Sequence, residues 1–353
     1  MKRILYLIPL IAIFYACQQA DEIESNDAKI YLSASIVEAI ETRGAYTSTT
    51  PTANDVLRAT VWATNTGTYI GRGLSGRGQT GDLADVVDIH ATANFDSGDP
   101  KLLNEAVYPK SGKEVAFIGL HPNSGWSTKD EDEVDGGDGK IAEFTFNGSQ
   151  DVMFAPKVTG QYASDDETIR VLDLNFKHML TWLKIKIKAE NEMAAKSWGK
   201  IESIEIKSNN KVSINLMQTY DFSTCVGFSG EVDNRLPLYK VGTDEVFPGS
   251  EGFELTNTEY KEEAYVLCEP VVGQLTHPYD GPTYEYTLHI KTERREVDLP
   301  IDLMKNSTEC FEGSTRAKHF TLNLNFMVGN IVMIESEVND WELGESIDVD
   351  VDF

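Results

Sequence analysis

Leu183-Lys184-Ile185-Lys186-Ile187-Lys188 alternates an apolar residue with a lysine through six consecutive positions. Side chains on a β-strand point to opposite faces in turn, so this stretch has one apolar and one basic face. At 3.6 residues per turn a helix would mix the two sets around its circumference. The segment therefore reads as a half-buried strand of an antiparallel sheet, with one face on a core and the other toward water.

The same period-two pattern recurs on both sides of it. Before the middle of the chain it marks Ile30–Val37, Ala59–Thr64, Val86–Ala93, Val115–Leu120, Ile141–Phe146 and Asp151–Ala155. Beyond it come Val171–Lys177, Ile201–Lys207, Val212–Leu216, Tyr284–Lys291, Glu296–Asp302, His319–Phe326, Ile331–Glu337 and Ser346–Phe353. Gly, Asn, Asp, Ser or Pro bound most of them, which is turn chemistry. One helix is expected, around Asn191–Trp198. Many short strands without intervening helices predict an all-β chain built of β-sandwiches. The polar stretch Thr159–Thr168 divides the strands into two groups, each numerous enough for one sandwich. The expected organisation is a signal peptide over 1–17, an N-terminal sandwich over 18–165 and a C-terminal sandwich over 166–353.

The 353 residues are 41% hydrophobic and 25% charged, which excludes wholesale disorder. Thirty-one Lys and Arg stand against 57 Asp and Glu, a formal charge of −26. A chain this acidic repels phosphate backbones, and nucleic-acid binding is excluded.

Lys2 and Arg3 precede an apolar run from Ile4 to Ala16 that ends at Cys17. Thirteen residues are too few to span a bilayer, so the run reads as an export signal. A cysteine directly after a small residue fits a bacterial lipoprotein signal, in which Cys17 is lipidated. The alternative is a plain cleaved signal whose end carries a cysteine. Cys225, Cys268 and Cys310 are an odd, widely spaced set with neither a zinc-site nor a disulfide-framework pattern.

Catalytic signatures are absent. Gly71-Arg72-Gly73-Leu74-Ser75-Gly76 has dinucleotide-loop spacing but runs into Arg77-Gly78-Gln79-Thr80-Gly81, which cannot open a helix. The acidic stretch Lys129–Lys140 fails calcium-loop spacing at Val134 and Ile141 and reads as a hairpin loop. Six scattered histidines form no metal or nucleophile motif, and His178 reads as a structural histidine. No enzyme activity, catalytic residue, metal or cofactor is expected.

Two terminal segments carry more information. Ile30, Leu32, Ala34 and Ile36 occupy every second position of one; Ile347, Val349, Val351 and Phe353 do so in the other, separated by Asp348, Asp350 and Asp352. Each can lay four apolar side chains along one groove. Between the first and the remainder lies Glu41-Thr42-Arg43-Gly44, an accessible place for a trypsin-like protease in a Thr/Ser-rich stretch. Cutting after Arg43 would free the first strand, and a terminal strand of a neighbouring molecule could replace it. The plain alternative is that both segments are ordinary strands of one molecule.

Longer strings resemble the fimbrillins. Tyr108–Pro122, Asp151-Val152-Met153-Phe154-Ala155 and Leu174–Leu183 are similar to successive fimbrillin segments, as are Tyr284–Ile290, Val297–Leu299 and Trp341-Glu342-Leu343-Gly344 near the end. Met153, Phe154 and Trp182 depart mildly from the family pattern at packing positions. The resemblance implies two tandem transthyretin-like (Ig-like) antiparallel sandwiches and export as a lipoprotein to the outer membrane and cell surface. It also implies processing at Arg43 and Gly44 by an arginine-specific protease, and assembly into a pilus with other fimbrillin subunits by donor-strand exchange. Ile30, Leu32, Ala34 and Ile36 would then mark the strand removed, and Ile347, Val349, Val351 and Phe353 the strand donated. A different reading is a surface lipoprotein or tip adhesin binding host glycans or proteins, with Trp62, Trp126 or Trp198 as stacking platforms. Core packing is the preferred place for those tryptophans.

Overall fold

The structure, a computed structural model, describes residues 29–37, 58–65, 90–94, 101–107, 115–122, 125–130, 140–160, 171–215, 225–272, 285–303, 314–329 and 332–340. Among these the chain is almost entirely β, with one short helix.

Seven strands form the largest sheet. In chain order they are β1 (Lys29–Val37), β2 (Arg58–Asn65), β3 (His90–Asn94), β4 (Lys101–Val107), β5 (Val115–His121), β8 (Met153–Gly160) and β9 (Val171–His178), after β6 (Ser127–Asp130) and β7 (Lys140–Thr145). Across the sheet the order is β3-β2-β5-β8-β9-β1-β4. β10 (Thr181–Ala189) follows β9 after only Met179 and Leu180 and enters a second sheet. There it lies between β16 (Lys261–Cys268) and β19 (Lys318–Phe326), flanked by β15 (Tyr239–Lys240) and β20 (Val332–Asp340). A third sheet has the order β14 (Arg235–Pro237), β11 (Ile201–Lys207), β17 (Glu285–Thr292), β18 (Glu296–Asp302).

The fourth sheet crosses the middle of the sequence. β6 and β7 pair as a hairpin closed at Asp130↔Lys140, and β7 pairs in turn with β12 (Lys211–Asn215), which pairs with β13 (Val226–Ser229). Main-chain hydrogen bonds thus join strands from before and after the Thr159–Thr168 stretch. The residues between Asp130 and Lys140, read from the sequence as a loop, lie outside the described residues.

β10 behaves as its alternation demands. Leu183, Ile185 and Ile187 are buried, while Lys184, Lys186 and Lys188 are half-buried on the other face. Its pairing is mixed rather than wholly antiparallel. β16 runs antiparallel to it, but β19 runs parallel to it over eight residue pairs from Trp182↔His319 to Ala189↔Phe326. The lysine stems lie along apolar surface, with Nζ of Lys184 4.5 Å from the ring centre of Trp182 and that of Lys188 4.1 Å from Tyr260.

The expected helix is α1 (Glu192–Trp198). Asn191 caps it, its side chain accepting from the Ala194 N–H at 2.9 Å, and Gly199 ends it at φ 75°. The helix carries Trp198 into the core, where its ring meets Phe326 edge-on at 5.1 Å and its indole N–H donates to the Met327 carbonyl at 2.8 Å.

Polar groups inside the second and third sheets are joined to one another. Thr181 and Thr315 share a hydroxyl hydrogen bond at 2.7 Å, and the Tyr286 hydroxyl donates to the Glu269 carbonyl at 2.8 Å. Burial holds the Cys268 thiol far above its ordinary range, so it stays protonated and unreactive. Cys225 is likewise buried, and among the described residues neither it nor Cys268 is in a disulfide. Cys310 lies outside the described residues.

His319 is 8% exposed and lies against Trp182 at 4.9 Å between ring centres. Burial, helped by the Lys184 and Lys186 charges, lowers its pKa from 6.5 to about 4. Between those values the unfolded chain binds more protons than the folded one, so stability is full above pH 6.5 and falls as pH drops through the window. Thermal unfolding followed from pH 7 to pH 5 should show a loss of about 2 kcal/mol assignable to this group. His319→Gln should remove that part of the slope, whatever it does to the absolute melting temperature.

Candidate functional site

The site builds up from β1. An N-terminal strand would be simplest to place at a sheet edge, yet β1 lies inside the seven-stranded sheet, between β9 and β4. It runs parallel to β9 in unbroken register from Tyr31↔Val171 to Val37↔Lys177, seven pairs. Against β4 it is antiparallel and irregular, with Lys29↔Val107, Tyr31↔Leu102 and Leu32↔Lys101 and a break in register between Lys29 and Tyr31.

This register places the period-two pattern in phase with a buried surface. Leu32, Ala34 and Ile36 stand at the positions opposite Leu172, Leu174 and Phe176. Leu174 and Phe176 are fully buried, whereas Asp173, Asn175 and Lys177 between them are exposed. A shift of one residue would place the apolar positions of β1 opposite that exposed, polar set. Ile30 precedes the register with β9 and has the same parity.

The seat beneath this surface is made by small residues. Gly119 on β5 pairs with Ala155 on β8, and the Phe176 ring lies over both. A Cβ on Gly119 would collide with that ring, coming within 2.8 Å of Cε1 and 3.0 Å of the Ala155 Cβ. Met153, Ala155, Leu174 and Phe176 share this face, while Ile118, Leu120 and Phe154 on the other join the main core with Trp126 and Phe144.

β9 is tied down at its far end. His178 Nδ1 and Asp151 Oδ2 are 2.8 Å apart with both side chains 1% exposed, and the Met179 N–H donates to the Val152 carbonyl at 2.9 Å. The pair fixes the point where the chain leaves the first sheet for the second, which gives His178 the structural role read from its sequence context.

Ile30, Leu32, Ala34 and Ile36 are therefore brought together on one strand of one sheet. Cys17, Arg43, Gly44, Ile347, Val349, Val351 and Phe353 lie outside the described residues. Sequence reasoning missed β4 altogether and missed that β9 is the ladder partner of β1. Gly119 was the available signal, since a glycine inside a strand marks close approach by a neighbour. Trp126 and Trp198 are 4% and 0% exposed, so neither offers a face for stacking a sugar, as core packing requires. Trp62 stands on β2 opposite Ile118 and His90.

Nothing else among the described residues has the layout of a reaction centre. No group of three or more His, Cys, Asp or Glu is placed to hold a metal ion there. His289 Nδ1 lies 2.7 Å from Asp298 Oδ1, and this hydrogen bond holds the Asp298 carboxyl below the usual range, but the pair sits on the outer face of β17 and β18. No helix there is long and apolar enough to cross a membrane.

Gly119→Ala tests the seat directly. Overpacking against Phe176 should destabilise the protein by about 1–3 kcal/mol in urea unfolding, and adding Phe176→Leu should recover part of the loss.

A cell adhesion candidate of Bacteroides uniformis has a similar fold at 13% identity and a TM-score of 0.48, covering 89% of this chain and 100% of that one. An adhesin candidate of Bacteroides ovatus is similar at 12% identity and a TM-score of 0.49, over 91% and 97%. The fimbrial anchor protein Mfa2 of Porphyromonas gingivalis is similar at 10% identity and a TM-score of 0.41, over 89% and 98%. Comparison with curated protein sequences finds no match. The model of the fimbrillin-like family matches residues 42–341, most of the chain, and the protein belongs to that family, whose members are structural proteins and not enzymes.

Proposed function

We propose that the chain is a building subunit of a fimbrium, joined to its neighbours by exchange of a terminal strand. It is exported as a lipoprotein through Cys17 and matured by an arginine-specific protease cutting between Arg43 and Gly44. The segment Ser346–Phe353 of a neighbouring subunit then takes the place of β1. The observation that carries this reading is the position of β1, an N-terminal strand held inside a sheet with its apolar positions in phase with buried Leu174 and Phe176. Ile347, Val349, Val351 and Phe353 repeat the spacing of Ile30, Leu32, Ala34 and Ile36.

The energetics favour a durable joint. Each ladder hydrogen bond contributes about 1 kcal/mol net, and each aliphatic side chain fully buried about 1.5–3 kcal/mol. A strand with four apolar residues and a ladder as long as that of β1 would hold two subunits together against ordinary dilution.

Limiting trypsin applied to the purified protein should cut after Arg43 and give ladders of multimers that resist SDS. Arg43→Ala should leave the protein uncut there and monomeric, and deletion of residues 346–353 should allow the cut but not the ladders. Ladders from the deletion variant would refute the role of the C-terminal segment.

A further inference from the structure

The ladder around β9 is lopsided. β8 and β9 pair only at Met153↔His178 and Phe154↔Lys177, although both strands continue beyond that corner. The cause is Pro156. It has no N–H to donate, and the register of β8 on β5 jumps there: Gly119 faces Ala155 but Phe117 faces Val158, leaving Pro156 and Lys157 opposite Ile118 alone. The bulge ends the β8–β9 ladder after Phe154.

From Val171 to Phe176, the only strand paired with β9 among the described residues is β1. The same holds for β4, whose one strand partner there is β1. Backbone donors and acceptors in a protein interior need partners. An empty slot between β9 and β4 would leave both facing edges unpaired, with the ladder that joins β9 to β8 limited to the His178 corner.

We infer that β1 is the middle strand of a limb and not a plug in a preformed groove, so that it leaves only as another strand pairs onto β9. This deepens the exchange reading above and rests on it. A chain cut after Val37 keeps β1 bound without a covalent link, and the incoming segment of a second copy displaces it step by step along Val171–Lys177. Cleavage licenses exchange, and arrival of the next subunit drives it.

The test uses the full-length chain with a recognition site for a sequence-specific protease inserted after Gly44, which makes it independent of whether Arg43 is the natural cut. After cleavage, the N-terminal fragment is followed by native size separation and mass spectrometry, and those amides of β9 that point toward β1 by hydrogen exchange, with and without a synthetic Ser346–Phe353 peptide. The fragment should stay bound without peptide and leave in proportion to peptide concentration, tenfold more peptide giving about tenfold faster release. Those amides should remain protected throughout. Release at a rate independent of peptide, with those amides still protected, would show a preformed groove and overturn the inference while leaving exchange intact. Loss of their protection with the fragment still bound would also overturn it. A peptide that never displaces the fragment at saturation would bring down the exchange reading itself.

Discussion

The N–H and C=O groups on one edge of β9 need partners, and along most of that edge the strand that supplies them is β1. Much of the first sheet is arranged around this dependence. Pro156 lies in the bulge that interrupts the register of β8 on β5, Gly119 and Ala155 leave room for the Phe176 ring, and the Asp151–His178 contact anchors the end of β9 beside the crossing to β10. β1 runs parallel to β9 and antiparallel to β4. A strand from early in the chain thereby becomes interior to a sheet in which its parallel partner, β9, lies more than a hundred residues away.

The sequence made some of this legible and hid the rest. Alternation is a local signal, and it located β1, β5, β10, β11, β17 and β19 because one side of each is apolar. It gave no warning of β4, whose Leu102-Leu103 pair breaks the period, nor of β16, which begins Lys-Glu-Glu before its buried run. Direction and neighbours are long-range properties. Nothing in Leu183–Lys188 says that β19 lies parallel to it, and nothing in Ile30–Val37 names β9. The pairing of β7 with β12 is hidden for the same reason, since each reads as an ordinary strand whichever partner it takes. The candidate site was half legible: its strand was visible, its walls were not.

Charge is distributed with similar economy. In a chain of net charge −26, several cations lie over aromatic rings: Lys184 on Trp182, Lys188 on Tyr260 and Arg295 on Trp198 at 4.8 Å. These contacts let long side chains shield apolar surface while their heads stay hydrated. The acidic remainder keeps the subunit soluble and works against indiscriminate sticking of one copy to another. In the exchange proposed above, specific joining would depend on backbone ladders and shape, which charge screening by salt affects little.

The parallel pairing of β10 with β19 has a mechanical consequence. β9 passes into β10 through two residues, and β19 passes into β20 toward the C-terminus. Load entering at β9 and leaving after Asp340 does so at one end of this sheet, since Trp182 pairs with His319 and Lys318 with Asp340. Pulled between those points, the antiparallel ladder of β19 and β20 would open pair by pair from Asp340, whereas a pull at the other end of β19 would load its parallel ladder with β10 in shear on all eight residue pairs together. The strength of such a subunit against stretching would thus depend on the end of the sheet at which its neighbour holds it.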